Sequence, residues 1–234
     1  MVPLQSIAEE WVEKYNSNPF LKALAQIGSG CSYGILGAIE TAIVTVHTNA
    51  QKRRVRLFFE HLEGQKLQLT QEMVQNEDFL YFFKATLNAT IRTRRTEKIV
   101  YLATLFSAYT HEQDSYQLDK YEDYLKILDE LSFIELRIVH LLYEKSRIKS
   151  EKENFNDEWW DNFDLKAVDV LKNDDILREV KDIAALMPRL TRSGLFQLPV
   201  GWTSSKRGYP TPLLEEFVSF ITKDSEYIDV NSHL

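Results

Sequence analysis

The sequence predicts a mainly α protein: a long helical hairpin or bundle followed by a smaller α+β domain. Three observations predict it. Proline and glycine number only 6 and 8 in 234 residues, which favours long helices over a strand-and-turn fold. Apolar residues recur at helical spacing along much of the chain. Towards the C-terminus the pattern changes to short segments, a glycine stop at Gly194, then "LFQL" and a return near Tyr209, as in a short hairpin. The predicted division is a helical region over 1–115 and an α+β domain over 116–234. The latter carries an inserted acidic segment near 149–164, with Trp159 and Trp160 as aromatic anchors.

Each element follows from local signals. Leu4, Ile7, Ala8, Trp11, Val12 and Tyr15 give a short amphipathic helix over 4–16. "NSNP" ends it, and Pro19 opens a second helix expected to reach about Glu63, with glycines able to interrupt it. Gly64 and "GQKLQLT" form a turn. Asn76 caps a third helix, with Glu77 and Asp78 in its first turn and Phe79, Phe82, Phe83, Leu87 and Ile91 on its apolar face. A basic break, "RTRRTEK", precedes Ile99, Leu102, Ala103, Phe106 and Tyr109, so 19–110 reads as one long antiparallel hairpin. "THEQDSYQ" is a polar connector and "DKYEDYLKILDEL" a further helix. "SFIE" at 132–135 is a capping box opening "FIELRIVHLLYEKSR". "DDILREVKDIAALMPRLTRSGLFQL" gives two short helices stopped by Gly194, and Thr211-Pro212 caps a last helix over Leu213–Thr222.

Two resemblances rest on these segments. "LMPRLTRSGLF", the turn region through "GWTSSKRG" and "GYPTPLLEEFVSFI" together resemble a winged-helix domain. The resemblance implies a recognition helix at "LMPRLTRSGLF", a wing, and a closing helix. The chain departs from that pattern in the long insertion before the second helix, and at Pro188, which predicts a kinked or broken recognition helix. "TEKIVYLATLFSAYT" and "YEDYLKILDELSFIELRIVHLL" resemble abortive-infection alpha-type proteins and related bacterial helical proteins. That resemblance implies a role in phage defence and transfers no functional residue.

The stretch "GSGCSYGILGAIETA" places Gly30, Gly34, Ala38 and Ala42 four apart, on one face of a helix. Small residues at that spacing let two helix backbones approach closely, at about 1 kcal/mol per glycine in helix propensity. The span 27–46 only just meets the ~20 residues a membrane crossing needs. Glu40, Ser29, Ser32, Thr41 and Thr45 dilute it, so helix packing is the preferred reading over insertion. Two basic runs follow: Lys52, Arg53, Arg54, Arg56, and Arg92, Arg94, Arg95, Lys98. In an antiparallel hairpin both lie towards one end and form a patch for lipid headgroups, phosphates or an acidic partner.

The formal net charge of −7 argues against wholesale nucleic-acid coating. Arg189, Arg192, Lys206 and Arg207 are the cations placed for phosphate contact in the winged-helix-like part. Asp174, Asp175, Glu179, Asp182, Glu215 and Glu216 surround them, which predicts weak duplex binding there. One cysteine, Cys31, allows no internal disulfide and fits a reducing cytoplasm. The N-terminus lacks the charged-then-apolar order of a signal peptide. Nucleotide-binding, zinc-protease and serine-hydrolase motifs are missing. "HEQD", with His111, Glu112 and Asp114, reads as a connector rather than a metal site, and His140 reads as a core or boundary histidine.

These observations predict a non-enzymatic, cytoplasmic interaction protein with no cofactor and no metal. It self-associates or packs through the helix at 28–42, with a second copy or another protein as partner. A winged-helix DNA-binding regulator is the second reading and a membrane-acting defence effector the third.

Overall fold

The computed structural model describes residues 48–65, 72–73, 76–111, 116–150, 175, 177–181, 184–197 and 209–222. The expected helix over 4–16, the face Gly30, Gly34, Ala38 and Ala42, the insertion beyond residue 150, Lys206 and Arg207 lie outside the described residues. The chain divides into two units, Met1–Lys126 with Ile221–Leu234, and Ile127–Phe220.

In the first unit, helix α1 spans Asn49–Gly64. Thr48 is extended, with ψ 151°, and its Oγ1 accepts from the Gln51 N–H at 3.2 Å while Gln51 Oε1 accepts from the Thr48 N–H at 3.1 Å. This capping box starts a helix at Asn49, so the expected single helix from Pro19 to Glu63 is corrected. Helix α2 spans Glu77–Arg92 and begins as expected, with Asn76 accepting from the N–H groups of Asp78 and Phe79. It ends where Thr93 turns extended (φ −64°, ψ 141°). Helix α3, Thr96–His111, starts after a connection of residues 93–95. The one long hairpin over 19–110 is therefore corrected as well. The chain reverses at the basic break, and the hairpin is α2–α3, with α1 as a third helix.

Aromatic packing holds these three helices. Phe106 of α3 lies against Phe58 of α1 and Phe79 and Phe83 of α2, with centroids 6.4, 5.5 and 5.6 Å apart. Phe59 meets Phe83 at 6.2 Å. Offset and edge contacts of this kind add to the burial of large apolar surface. Residues 101–108 of α3 are buried without interruption, as expected for a helix enclosed on all sides rather than one with a wet face. Gln65 Nε2 donates to Thr104 Oγ1 at 2.8 Å, which ties the end of α1 to α3.

Helix α4, Tyr116–Glu130, begins a few residues before the expected "DKYEDY". Its Tyr121 packs on Phe82 and Tyr109, both at 4.7 Å, and bonds to the buried Thr86. Thr86 Oγ1 also donates its one proton to the Phe82 carbonyl at 2.8 Å, so the Tyr121 hydroxyl is the donor to Thr86.

In the second unit, helix α5, Phe133–Ser150, opens on the expected capping box. Glu135 Oε2 accepts from the Ser132 N–H at 2.7 Å and Ser132 Oγ from the Glu135 N–H at 3.3 Å. The expected pair of short helices consists of two 3₁₀ turns, Leu177–Glu179 and Ala184–Leu186, and helix α6, Met187–Arg192. Pro188 lies in the first turn of α6. A proline there removes an N–H that has no helical partner anyway, so the expected kink does not arise. Gly194 stops α6 at φ +79°. The N–H of Leu195 reaches the Leu190 carbonyl and that of Gly194 the Thr191 carbonyl, both at 3.1 Å, which is a Schellman stop. Strand β1, Phe196–Gln197, pairs antiparallel with β2, Tyr209–Pro210, in the register Phe196–Pro210 and Gln197–Tyr209, as the hairpin reading expects. Thr211 follows. Its N–H donates to Leu195 and its hydroxyl to the Gly194 carbonyl, at 3.1 and 2.6 Å. Helix α7, Pro212–Thr222, then begins with proline in its first turn.

The Tyr109–Tyr121 pair makes stability depend on alkali. Burial, with the nearby Asp78 charge adding to it, pushes the Tyr109 hydroxyl up to about 12, and burial pushes Tyr121 up further. Both groups ionise more readily when unfolded, so their contribution is complete below the ordinary tyrosine value near 10 and is lost as pH rises from there through 12. Chemical denaturation at stepped pH is expected to show stability falling across pH 10–12. In Tyr121→Phe the fall is expected to be shallower, with a cost of about 1 kcal/mol at neutral pH for the lost hydrogen bond.

Candidate functional site

The candidate site is the corner where the two basic runs meet. Arg54 Nη1 donates to the Ile91 carbonyl at 2.8 Å, satisfying one of the last carbonyls of α2, where a cation also complements the helix dipole. The Arg54–Ile91 and Phe59–Phe83 contacts show that α1 and α2 run antiparallel. The first turns of α1 therefore lie beside the 91–95 corner. Arg53, Arg56, Arg92, Arg94 and Arg95 are exposed there, and Lys52 and Arg54 are half-buried. Lys98 is a correction to the expected patch: it is 7 % exposed and belongs to the interior of α3's first turns.

Charge is polarised along this unit. Segments 48–56 and 88–98 hold eight Lys and Arg against a single carboxylate, Glu97, in a chain of net charge −7. Glu60 and Glu63 stand at the far end of α1, and Glu77 and Asp78 at the start of α2. Because the helices are antiparallel, those four carboxylates share the opposite end. Tyr81, 57 % exposed and the exposed large hydrophobic side chain among the described residues, lies in the first half of α2, away from Arg92.

The second cationic candidate has a different neighbourhood. Arg189 Nη1 sits 3.1 Å from Glu135 Oε1, with the carboxylate 0 % and the guanidinium 50 % exposed. Glu135 Oε2 is taken by the Ser132 N–H, and Oε1 has no hydrogen bond of good geometry, so the Arg189 charge is what offsets its burial. Arg189 therefore has a structural role that its place in the sequence conceals. The signal available was the capping box itself, which requires a glutamate but does not say what faces its second oxygen. Arg192 is exposed at the end of α6.

The remaining sequence candidates are placed more simply. His140 is half-buried with Nε2 3.1 Å from Glu144 Oε1. Burial, with the Arg137 charge, lowers its pKa against the opposing pull of Glu144. His111 ends α3, while Glu112 and Asp114 lie outside the described residues. Among the described residues no group of three or more His, Cys, Asp or Glu is placed to hold a metal ion, and no helix is long and apolar enough to cross a membrane. The stretch 27–46 lies outside them. No known protein family, curated protein or solved structure matches the chain.

Arg189→Ala is expected to destabilise the second unit by roughly 1–3 kcal/mol, because it leaves a buried carboxylate oxygen without its partner. The lower end of that range is favoured, since a half-exposed guanidinium is partly replaceable by water. In a Glu135→Gln background, where the amide oxygen still accepts from Ser132, the same change should cost less. A double-mutant cycle in urea measures the difference, and equal costs in the two backgrounds would exclude the pairing.

Proposed function

We propose that this chain is a non-enzymatic interaction protein that docks an anionic partner on the corner formed by Arg53, Arg56, Arg92, Arg94 and Arg95. The observation that carries this reading is the Arg54–Ile91 hydrogen bond, which brings two basic runs separated in sequence to one end of the α1–α2–α3 core. Guanidinium groups suit the work: they stay charged and present paired N–H donors to carboxylate or phosphate oxygens. The acidic opposite end favours one orientation of approach.

The second unit is read as a winged-helix-like module for protein contact. The order α6, β1, β2, α7, with an antiparallel ladder and a glycine stop before it, supports that reading. DNA reading by this unit is disfavoured by the engagement of Arg189 with Glu135. On the resemblance of 96–142 to abortive-infection alpha-type proteins, the interaction serves phage defence. Self-association through Gly30, Gly34, Ala38 and Ala42 completes the proposal and rests on their spacing in the sequence.

The docking surface is tested on an immobilised sulfated polysaccharide, a generic polyanion. The wild-type protein is expected to be retained at low salt, despite its net negative charge. Arg53→Glu with Arg94→Glu should elute earlier than Lys84→Glu with Lys126→Glu, which makes the same change in net charge at exposed sites elsewhere in the unit. Equal elution of the two variants would refute a localised site. Self-association has its own test in light scattering: the wild type is expected above monomer mass and Gly34→Leu at or near it, because a bulky side chain prevents close helix approach.

A further inference from the structure

Resting on that docking reading, we propose that the anionic partner is a second copy of this chain, met through the outward face of α1. On that face Ala50, Arg53, Leu57, Glu60 and Gly64 recur at alternating intervals of three and four residues, the spacing of a seam along which two helices pack. Ala50, Arg53, Arg56, Glu60 and Gly64 are exposed and Leu57 is half-buried, while Val55, Phe58, Phe59 and Leu62 bury the opposite face in the core. Charge along the stripe is ordered, with arginine in its first half and glutamate in its second. Arg53 and Glu60 stand about two turns apart, so the two signs share one face. Among the described residues no ion pair involves Arg53, Arg56 or Glu60, so neither sign is neutralised within its own copy.

A face with this order is complementary to itself once turned around. In a two-fold pair, residue i of one copy meets residue j of the other, and j meets i. With two α1 helices antiparallel about Leu57, the arginine half of each copy lies beside Glu60 of the other, and each such contact occurs twice. A parallel pair would set arginine beside arginine and glutamate beside glutamate, so the charge order selects the antiparallel one. The same turn places Ala50 of one copy opposite Gly64 of the other, and small residues let two helix backbones approach closely. A Cβ added at Gly64 would meet nothing within 4 Å, so that end of the face stands open. The net charge of −7 on each copy opposes undirected association. At physiological salt that repulsion is screened beyond about 8 Å, and local pairs between opposite charges outlast it. One helix of 16 residues buries little beside the roughly 1,200–2,000 Å² of a stable interface. The contact therefore orients and tightens an association rather than supplying all of it.

Sedimentation equilibrium of the full chain at about 0.15 M salt tests this with a matched pair of variants, circular dichroism serving as a check on folding. Arg53→Glu with Arg56→Glu makes the face acidic throughout, and Glu60→Arg makes it basic through its middle. Each variant alone is expected to self-associate roughly tenfold more weakly than the wild type, the summed effect of several exposed pairs. Mixed together, the two should form a heterodimer tighter than either homodimer. Both keep Gly34, so a loss in them is separate from any contact through 28–42. Lys84→Glu with Lys126→Glu, charge changes at exposed sites off this face, should associate as the wild type does. Unchanged association in both charge variants, or weakening without recovery in the mixture, would overturn the second copy as partner. The docking reading would still stand if Arg53→Glu with Arg94→Glu eluted early from the polyanion. A wild type that stays monomeric at high concentration yet co-sediments with anionic phospholipid vesicles would overturn the pairing in favour of a lipid surface. Unchanged association together with equal polyanion elution of the variants would remove the docking reading itself.

Discussion

The first unit depends on the burial of Phe106. Its ring touches one phenylalanine from α1 and two from α2, so a single side chain joins all three helices. Truncating a buried phenylalanine typically costs 3–5 kcal/mol, a large share of what holds any domain of this size folded. The cluster also accounts for the unbroken burial along 101–108. Along 101–108 the helix has no wet face left, and the buried hydroxyls of Thr104 and Thr110 find their partners inside the protein. Thr104 meets Gln65, and Thr110 donates to the Ser107 carbonyl.

That packing produces the cationic corner as a consequence. With α1 and α2 held antiparallel, the first turns of α1 are brought against the last turn of α2. Arg54 then serves as a side-chain cap for the Ile91 carbonyl, which the extended Thr93 leaves without a helical partner. Gathering cations at one end costs mutual repulsion. The repulsion is tolerable because the arginine heads remain in water, where charges a few ångströms apart interact by only about 1 kcal/mol. Lys98, the buried basic residue of the two runs, lies on the α3 side of the corner. The corner thus follows from helix direction and capping.

The second unit is built differently, around backbone turns. Gly194 has the positive φ that a Schellman stop requires, and a Cβ there would also meet Leu213 at 3.2 Å. Its carbonyl is taken by the Thr211 hydroxyl. One glycine therefore ends α6, aims β1 at β2 and fixes the start of α7. Glu135 acts in a similar way at α5: one oxygen caps the helix and the other faces Arg189, which links the start of α5 to the middle of α6.

Much of the local structure was legible in the sequence. Asn76 with Glu77 and Asp78, Ser132 with Glu135, and Gly194 each specify a helix end by chemistry within a few residues, so spacing alone revealed them. Thr48-x-x-Gln51 is the same kind of signal, but it is buried in an apolar run that reads as one continuous helix. The convergence of the two basic runs was likewise visible as soon as an antiparallel arrangement was assumed. The sequence by itself determined the helical class, most helix ends and the identity of the cations. Only the tertiary structure decided where the chain reverses, that Lys98 is inside, that Arg54 caps α2, and that Arg189 serves Glu135. The reason is physical: capping and turns are set by neighbours along the chain, whereas burial and ion pairing depend on which distant segment packs alongside, and one helical periodicity is compatible with many such partners.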